Sequence, residues 1–236
     1  MSTYAQPTKV ENKLNKYGRK RIIVITLYVC IEAAVLMLAA GSLQWPEAWL
    51  YFCLRIGSMA VASFFIVRKN ADIINKRGQK LDNTKAWDKW FGTVYTLSIL
   101  IFPIIAGLDY RFGWSTMALT WQIIGFIGLI PAMILPYWAM AENRHLYTTV
   151  RLEEGQQVMK TGPYRYVRHP MYSGALLYII FAPLLLGSWW AFIPNGVAAL
   201  SFIVRTALED RTLQQELPGY IEFTNETRYR LLPGIW

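Results

Sequence analysis

Apolar positions in this chain gather into six long runs. They cover approximately residues 22–40, 48–67, 91–108, 119–140, 172–186 and 189–204. Runs close to the ~20 residues needed to cross a bilayer predict a bundle of about six transmembrane helices. The last two are short and meet at Gly187-Ser188-Trp189, which predicts a tight helical hairpin, tilted or incompletely spanning. Beyond Val204 the chain is too polar to span. Residues 205–217 have helical character, ended by Pro218-Gly219, and a terminal segment with Tyr220, Phe223, Tyr229, Leu231, Leu232 and Trp236 must then dock somewhere. The expected fold is all-α: a multi-pass transmembrane helical bundle with a cytoplasmic loop and a C-terminal helical tail. It forms a single integral-membrane domain over residues 1–236. Within it, 1–21 is an N-terminal segment, 22–140 carries four helices, and 141–236 holds the loop, the hairpin and the tail.

Composition agrees with this class. Of 236 residues, 54% are hydrophobic and 17% charged, against about 25% charged in soluble domains. The long polar N-terminus and the lack of a small-residue cleavage site after the first run argue against a cleavable signal peptide. Cys30 and Cys53 both fall within runs, where small buried apolar residues are expected. Two cysteines and two widely separated histidines give no zinc or haem spacing, so no metal is expected.

Charge sets the orientation. If six helices alternate, 22 of the 24 lysines and arginines fall on one side; Arg111 lies on the other and Arg55 within a run. Lys9, Lys69, Lys80 and Arg151 are among the 22. The positive-inside rule then places both termini and both large loops in the cytoplasm. The net charge of +9 suits topology and anionic headgroups without a nucleic-acid partner. The loop between the second and third runs, with Ala71-Asp72-Ile73-Ile74, Trp87 and Trp90 among lysines, is expected to lie along the interface as a short amphipathic element. Trp45, Trp49, Trp114, Trp121, Trp189 and Trp190 read as interfacial anchors. Glu32 and Arg55 are costly in lipid and are expected to face the bundle interior, pairing there with each other or, as the second reading, meeting a substrate.

The chemistry gathers after the fourth run. Thr161-Gly162-Pro163-Tyr164-Arg165-Tyr166-Val167-Arg168-His169-Pro170-Met171-Tyr172 is richer in turn, aromatic and ionisable residues than membrane spanning requires. Gly162-Pro163 should break any helix running from Gln156. Pro170 should open the next helix, with His169 before it as a candidate cap. Two readings fit: a ligand site at a helix N-terminus, or a structural cap with Arg165 and Arg168 touching lipid phosphates. Arg205 and Glu209, four apart, share a helix face at the inner end of the sixth run. Asp210 and Arg211 follow directly, which also fits a solvated charged end.

Together these residues carry a resemblance. Gly162-Pro163-Tyr164, Arg168-His169-Pro170-Met171-Tyr172, Arg205 with Glu209-Asp210, Leu217-Pro218-Gly219-Tyr220 and Arg228-Tyr229-Arg230-Leu231-Leu232-Pro233 resemble the isoprenylcysteine carboxyl methyltransferase and phospholipid methyltransferase superfamily, over residues 119–236. The resemblance implies an S-adenosylmethionine-dependent integral-membrane methyltransferase, its cofactor held between the loop and the C-terminal segment. It assigns Gln156, Gln157, Val158, Met159, Tyr164, His169, Pro170, Tyr172 and Glu209 to the cofactor. Arg205 faces the methyl acceptor, and Arg205 and His169 are the candidate catalytic residues. The acceptor is lipophilic or small: an isoprenylcysteine-like carboxylate, a phospholipid amine or a thiol. Membrane lipids are expected partners, and a prokaryotic cytoplasmic membrane is the expected location. Two other classes compete: an NADPH-dependent sterol- or steroid-reductase-like enzyme, for which Arg165 and Arg168 would meet the 2′-phosphate, and a non-enzymatic lipid-binding or transport protein.

Overall fold

The structure is a computed structural model that describes residues 13–79, 85–150, 152 and 155–236, with 69 and 70 described by their backbone. Lys9, Lys80 and Arg151 of the charge pattern, and the side chain of Lys69, lie outside the described residues. All regular structure in this set is helical: α1 (Lys16–Ala40), α2 (Pro46–Gly78), α3 (Ala86–Phe112), α4 (Leu119–Glu142), a 3-10 turn (Gly162–Arg165), α5 (Pro170–Leu186), α6 (Phe192–Glu216) and α7 (Tyr220–Glu226).

Local chemistry sets the ends. The Asn15 side chain accepts the N–H groups of Tyr17 and Gly18, satisfying two donors that the first turn of α1 leaves open. Proline opens α2 and α5, where its missing N–H costs nothing. By length and composition, α1, Pro46–Arg68 of α2, α3 and α4 can each cross a membrane. α5 is apolar but has only 17 residues. Gly187 turns the chain with φ +73°, so α5 and α6 form the expected hairpin.

Three expected boundaries change. α2 continues to Gly78 in one helix of 33 residues, so the stretch from Arg68 to Gly78 belongs to α2 and is not a separate interfacial element. Ile73 and Ile74 are buried, and the Asn75 side chain accepts the Asn15 N–H while donating to the Lys13 carbonyl. These apolar and amide contacts fasten the inner end of α2 to the start of α1. α6 likewise runs through residues 205–216 unbroken. Gln156–Lys160 is non-helical, and Gly162-Pro163 begins the 3-10 turn instead of stopping a helix.

The core draws Leu36, Tyr51, Phe102, Leu129 and Leu185 from five different helices. Lipid gives helices little hydrophobic reason to associate, so close backbone approach matters more. A Cβ at Gly125 of α4 would lie 2.3 Å from the Leu185 amide nitrogen of α5. At Gly107 of α3 it would lie 2.6 Å from the Leu36 carbonyl of α1. The outer end is tied by Asp109, which accepts the Ser115 N–H and hydroxyl at 2.7 and 2.6 Å and the Ser188 hydroxyl.

Two further expectations are corrected. Trp45 is only 1% exposed and stacks on Tyr110, whereas the other five tryptophans remain exposed near the outer turns. Cys30 and Cys53 are exposed, on helix faces that no other helix covers. Glu32 and Arg55 do pair, with Arg55 Nη1 2.8 and 2.6 Å from the two carboxylate oxygens.

Candidate functional site

The end of the bundle expected to face the cytoplasm is organised around one carboxylate. Asp210 on α6 is fully buried. It receives Arg168 through Nε at 2.8 Å and Nη2 at 3.0 Å, the Tyr220 hydroxyl at 3.0 Å, Arg230 Nε at 2.9 Å and Gln214 Nε2 at 2.8 Å. His169 Nε2 lies 3.2 Å from the same carboxylate. Burial alone would raise its pKa. Hydrogen bonds from His169 and Arg168, the His169 charge and the Arg230 hydrogen bond outweigh burial and hold it well below the usual carboxylate range. The carboxylate thus joins the loop, α6, α7 and the tail.

The remaining Arg168 nitrogen donates to the Thr227 and Arg228 carbonyls at 3.0 and 2.9 Å. The backbone completes the clamp: Arg168 N–H meets the Tyr229 carbonyl and His169 N–H the Arg230 carbonyl, each at 2.9 Å. The C-terminal segment, which had to dock somewhere, therefore folds back over the loop. Two readings of the loop are corrected. Arg168 is buried instead of touching lipid phosphates, because its whole guanidinium is engaged. His169 occupies the residue before α5, but its ring makes no capping bond; the ring turns to Asp210.

Beside this clamp lies a cleft that opens to the surface. All the residues expected at a cofactor or acceptor line it: Gln156, Gln157, Val158 and Met159 from the extended strip, Tyr164 from the turn, His169, Pro170 and Tyr172 from the start of α5, and Arg205 and Glu209 from α6. The Tyr172 hydroxyl donates to Glu209 Oε2 at 2.5 Å, and the His169 and Tyr172 rings stack with centroids 5.7 Å apart. Tyr164 is buried and accepts from Asn143 at 3.2 Å; burial, only partly offset by that bond, pushes its phenol upward, so it stays neutral.

Arg205 forms the inner wall. It is 8% exposed, not a solvated helix-end group. Its Nη2 lies 3.1 Å from Asp88 Oδ1 and donates to the Thr148 carbonyl at 3.1 Å. Its Nε is buried, has no hydrogen-bond partner among the described residues and lies 3.8 Å from Glu209 Oε2. The guanidinium lies over the rings of Phe91 and Tyr172, at 4.3 and 5.2 Å from their centroids.

On the other side of Arg205 is a second cavity, of about 640 Å³, among α1 to α6. Thr149, Met171, Tyr172 and Arg205 line both spaces. Phe91, Phe102, Met133 and Ile179 make much of its wall apolar. Its inner end is basic: Arg21 and Arg77 join Arg205, with Asp88 the counter-charge. Burial, with the nearby charge of Arg21, lowers Arg77 to about 10.

Sequence reasoning missed Asp88 and Tyr220, and treated Asp210 as peripheral. Asp88 looked like a loop charge, yet α3 begins at Ala86 and its Oδ2 accepts the Val150 N–H at 2.9 Å. The adjacent Glu209-Asp210 pair was the available signal for Asp210: neighbouring helical positions face different ways, one to the cleft and one to the clamp. Among the described residues no group of three His, Cys, Asp or Glu side chains is placed to hold a metal ion.

With this geometry established, comparison with known proteins is informative. Residues 123–215 match the model of the isoprenylcysteine carboxyl methyltransferase (ICMT) family. The matched stretch runs from α4 through the loop and α5 into the last turn of α6, and so contains Gly162-Pro163-Tyr164, Arg168 to Tyr172, Arg205 and Glu209-Asp210, whereas Leu217 to Tyr220 and Arg228 to Pro233 lie beyond it. It supports a membrane methyltransferase. The chain is also 24% identical over 170 residues to the uncharacterized protein YpbQ of Bacillus subtilis (strain 168), covering 71% of this chain and 96% of that protein.

Proposed function

We propose that the protein transfers a methyl group from S-adenosylmethionine, held in the polar cleft, to an amphipathic acceptor whose reactive group enters from the membrane-side cavity. The observation that carries this is the shared wall: Arg205 and Tyr172 face a water-accessible cleft on one side and a largely apolar cavity on the other. A polar donor and a lipophilic acceptor need two such approaches to one point.

The cleft suits a nucleoside joined to an amino acid through a sulfonium. Glu209, partly exposed, offers a carboxylate to an ammonium or ribose hydroxyls. Val158, Met159, Leu217 and Phe223 offer apolar surface to a base. Its enclosed volume of about 90 Å³ is below the ~300–1,000 Å³ of ordinary ligand sites, so its walls must part on binding. When bound, the cofactor supplies an electrophilic methyl on a sulfonium. The Tyr172 ring contributes a cation-stabilising face, worth about 0.5–2 kcal/mol.

Arg205 is the charged side chain that lines both spaces, and its Nε, without a hydrogen-bond partner among the described residues, is a donor to spend on an acceptor oxygen. Together with Arg77 and Arg21 it makes the inner end of the cavity a place for an anionic or readily ionised group. An acceptor that arrives ionised needs no general base. Fixing it beside the cleft and excluding water are then the protein's main contributions. His169 lines only the cleft, so we assign it to holding the cofactor side. The NADPH alternative loses its support: Arg168 is wholly engaged and Arg165 is exposed outside the cleft lining.

The test is incubation of the purified protein in nanodiscs with methyl-labelled S-adenosylmethionine and a panel of acidic and amine amphiphiles. Label should appear in the acidic members and be lost in Arg205→Ala. Transfer confined to amines, or transfer unaffected by Arg205→Ala, would overturn this assignment.

A further inference from the structure

The cavity has a second polar end. Away from Arg205, where α1, α2 and α5 meet, Glu32 and Arg55 line it together with Tyr28, Tyr137 and Tyr178. Arg55 Nη1 donates to both Glu32 oxygens, to the Tyr51 hydroxyl at 2.9 Å and to the Tyr178 hydroxyl at 2.6 Å. Tyr51 donates to Glu32 Oε1 at 2.6 Å and also meets the Tyr178 hydroxyl. The Arg55 guanidinium further lies against the Tyr28, Tyr51 and Tyr178 rings at 5.4–5.8 Å.

Holding helices together does not account for this cluster. Replacing a buried ion pair by apolar residues of similar volume is commonly neutral or stabilising, so stability alone gives no reason to keep one within a membrane. Nor is the pair sealed. All four hydrogen bonds that Arg55 donates to described residues leave from Nη1, none from Nε or Nη2, and its side chain retains 18% exposure on a residue lining the cavity. Glu32, by contrast, is 2% exposed and accepts from both Tyr51 and Arg55. The cluster therefore turns spare donors toward the cavity and keeps its carboxylate almost wholly covered.

Its distance from the transfer point can be read along α5. Tyr172 stands against Arg205 and Tyr178 against Arg55. Six residues of helix set those tyrosines ~9 Å apart along the axis of α5 and about 120° apart around it, so a chain of roughly eight carbons is the shortest that spans the two.

We propose that Arg55, held by Glu32 and Tyr178, forms a second subsite that recognises a hydrogen-bond-accepting group on the acceptor's chain, ~9 Å along α5 from the Arg205 end of the cavity. It rests on the methyltransferase reading of the cavity and narrows the substrate class. The preferred acceptor is an amphiphile with two polar groups, one ionised at the inner end and one hydroxyl or carbonyl partway along its tail. A plain hydrocarbon tail would leave the spare Arg55 donors unmatched.

The probes are hexadecanoate and its 4-, 8- and 12-hydroxy derivatives, whose binding to the protein in nanodiscs is measured by equilibrium dialysis against empty nanodiscs. The 8-hydroxy acid should bind about tenfold more tightly than the other three, the worth of one hydrogen bond to a charged group. In Glu32→Leu/Arg55→Leu, which leaves no lone charge behind, the four should bind alike while hexadecanoate itself is retained. Should that double variant not fold, Tyr178→Phe serves instead, and the preference for the 8-hydroxy acid must shrink. Equal affinities in the unmodified protein, no binding of any probe, or a preference that survives these substitutions would overturn the subsite. The methyltransferase reading is scored separately by S-adenosylmethionine binding on the same samples: its absence, with the positional preference intact, would sink that reading and not the subsite.

Discussion

Arg168 grips Asp210 through two parallel bonds, Nε to Oδ1 at 2.8 Å and Nη2 to Oδ2 at 3.0 Å, with both side chains buried. This pair joins the loop before α5 to α6, and its third nitrogen holds the carbonyls that follow α7. Three stretches distant in sequence thereby form one wall of the cleft.

Removing the negative charge should be expensive. Asp210→Asn leaves the Arg168 and Arg230 guanidinium groups buried or half-buried without a counter-charge. We expect a loss of ~3–5 kcal/mol, the usual result of breaking a buried pair from one side. Thermal unfolding in detergent measures it; a loss below 1 kcal/mol would mean that the clamp is not a unit. Arg168→Lys should lose less, ~1–3 kcal/mol, because the charge remains and the two-pronged geometry does not.

The same pair sets an acid limit. Asp210 is held below its ordinary range, so its stabilising contribution is complete above the unfolded value of about 3.9 and declines as pH falls toward the folded value. The stability difference between the unmodified protein and Asp210→Asn should thus stay constant from pH 7 to about 5 and narrow toward pH 3. A difference unchanged at pH 3 would contradict the assignment of that charge.

Arg205 and Glu209 should separate by their effects on kinetics and binding. Glu209→Ala should weaken S-adenosylmethionine binding about tenfold or more and leave the folded protein intact, since Glu209 is partly exposed and, among the described residues, holds only the Tyr172 hydroxyl at hydrogen-bond distance. Arg205→Lys should keep cofactor affinity within about twofold and lower kcat by about 10²-fold or more, through loss of the planar donor array. Titration calorimetry and methyl-transfer rates on the two variants decide this; the reverse pattern would exchange the roles of these residues.

Gly125 tests the packing. Valine there places a Cβ 2.3 Å from the Leu185 backbone nitrogen, and backbone cannot swing aside as a side chain can. We expect a loss of ~1–3 kcal/mol or more from forced separation of α4 and α5. Valine at Gly196, where a Cβ meets nothing within 4 Å, is the control and should be nearly silent.

Much of this was legible in the sequence, for identifiable reasons. The apolar runs, the hairpin at Gly187 and the proline that opens α5 follow from local rules, and all appear in the structure. The residues singled out around the loop and Arg205 line one cleft. What local pattern could not show was pairing at long range. Asp88 was read as part of a lysine-rich loop, although it faces Arg205 more than a hundred positions away. Asp210 looked like one more charge at a helix end, because its partners lie on the loop and the tail. α2 outran its apolar run because Ile73, Ile74 and Asn75 are buried against α1, a tertiary contact without a mark in the hydropathy.

The most direct test of the account is equilibrium binding of S-adenosylmethionine and, separately, NADPH to the purified protein in nanodiscs, with Glu209→Ala alongside. Saturable S-adenosylmethionine binding, weakened in Glu209→Ala and accompanied by no NADPH binding, is the predicted result. NADPH binding without S-adenosylmethionine binding would contradict it, and so would S-adenosylmethionine binding that Glu209→Ala leaves unchanged.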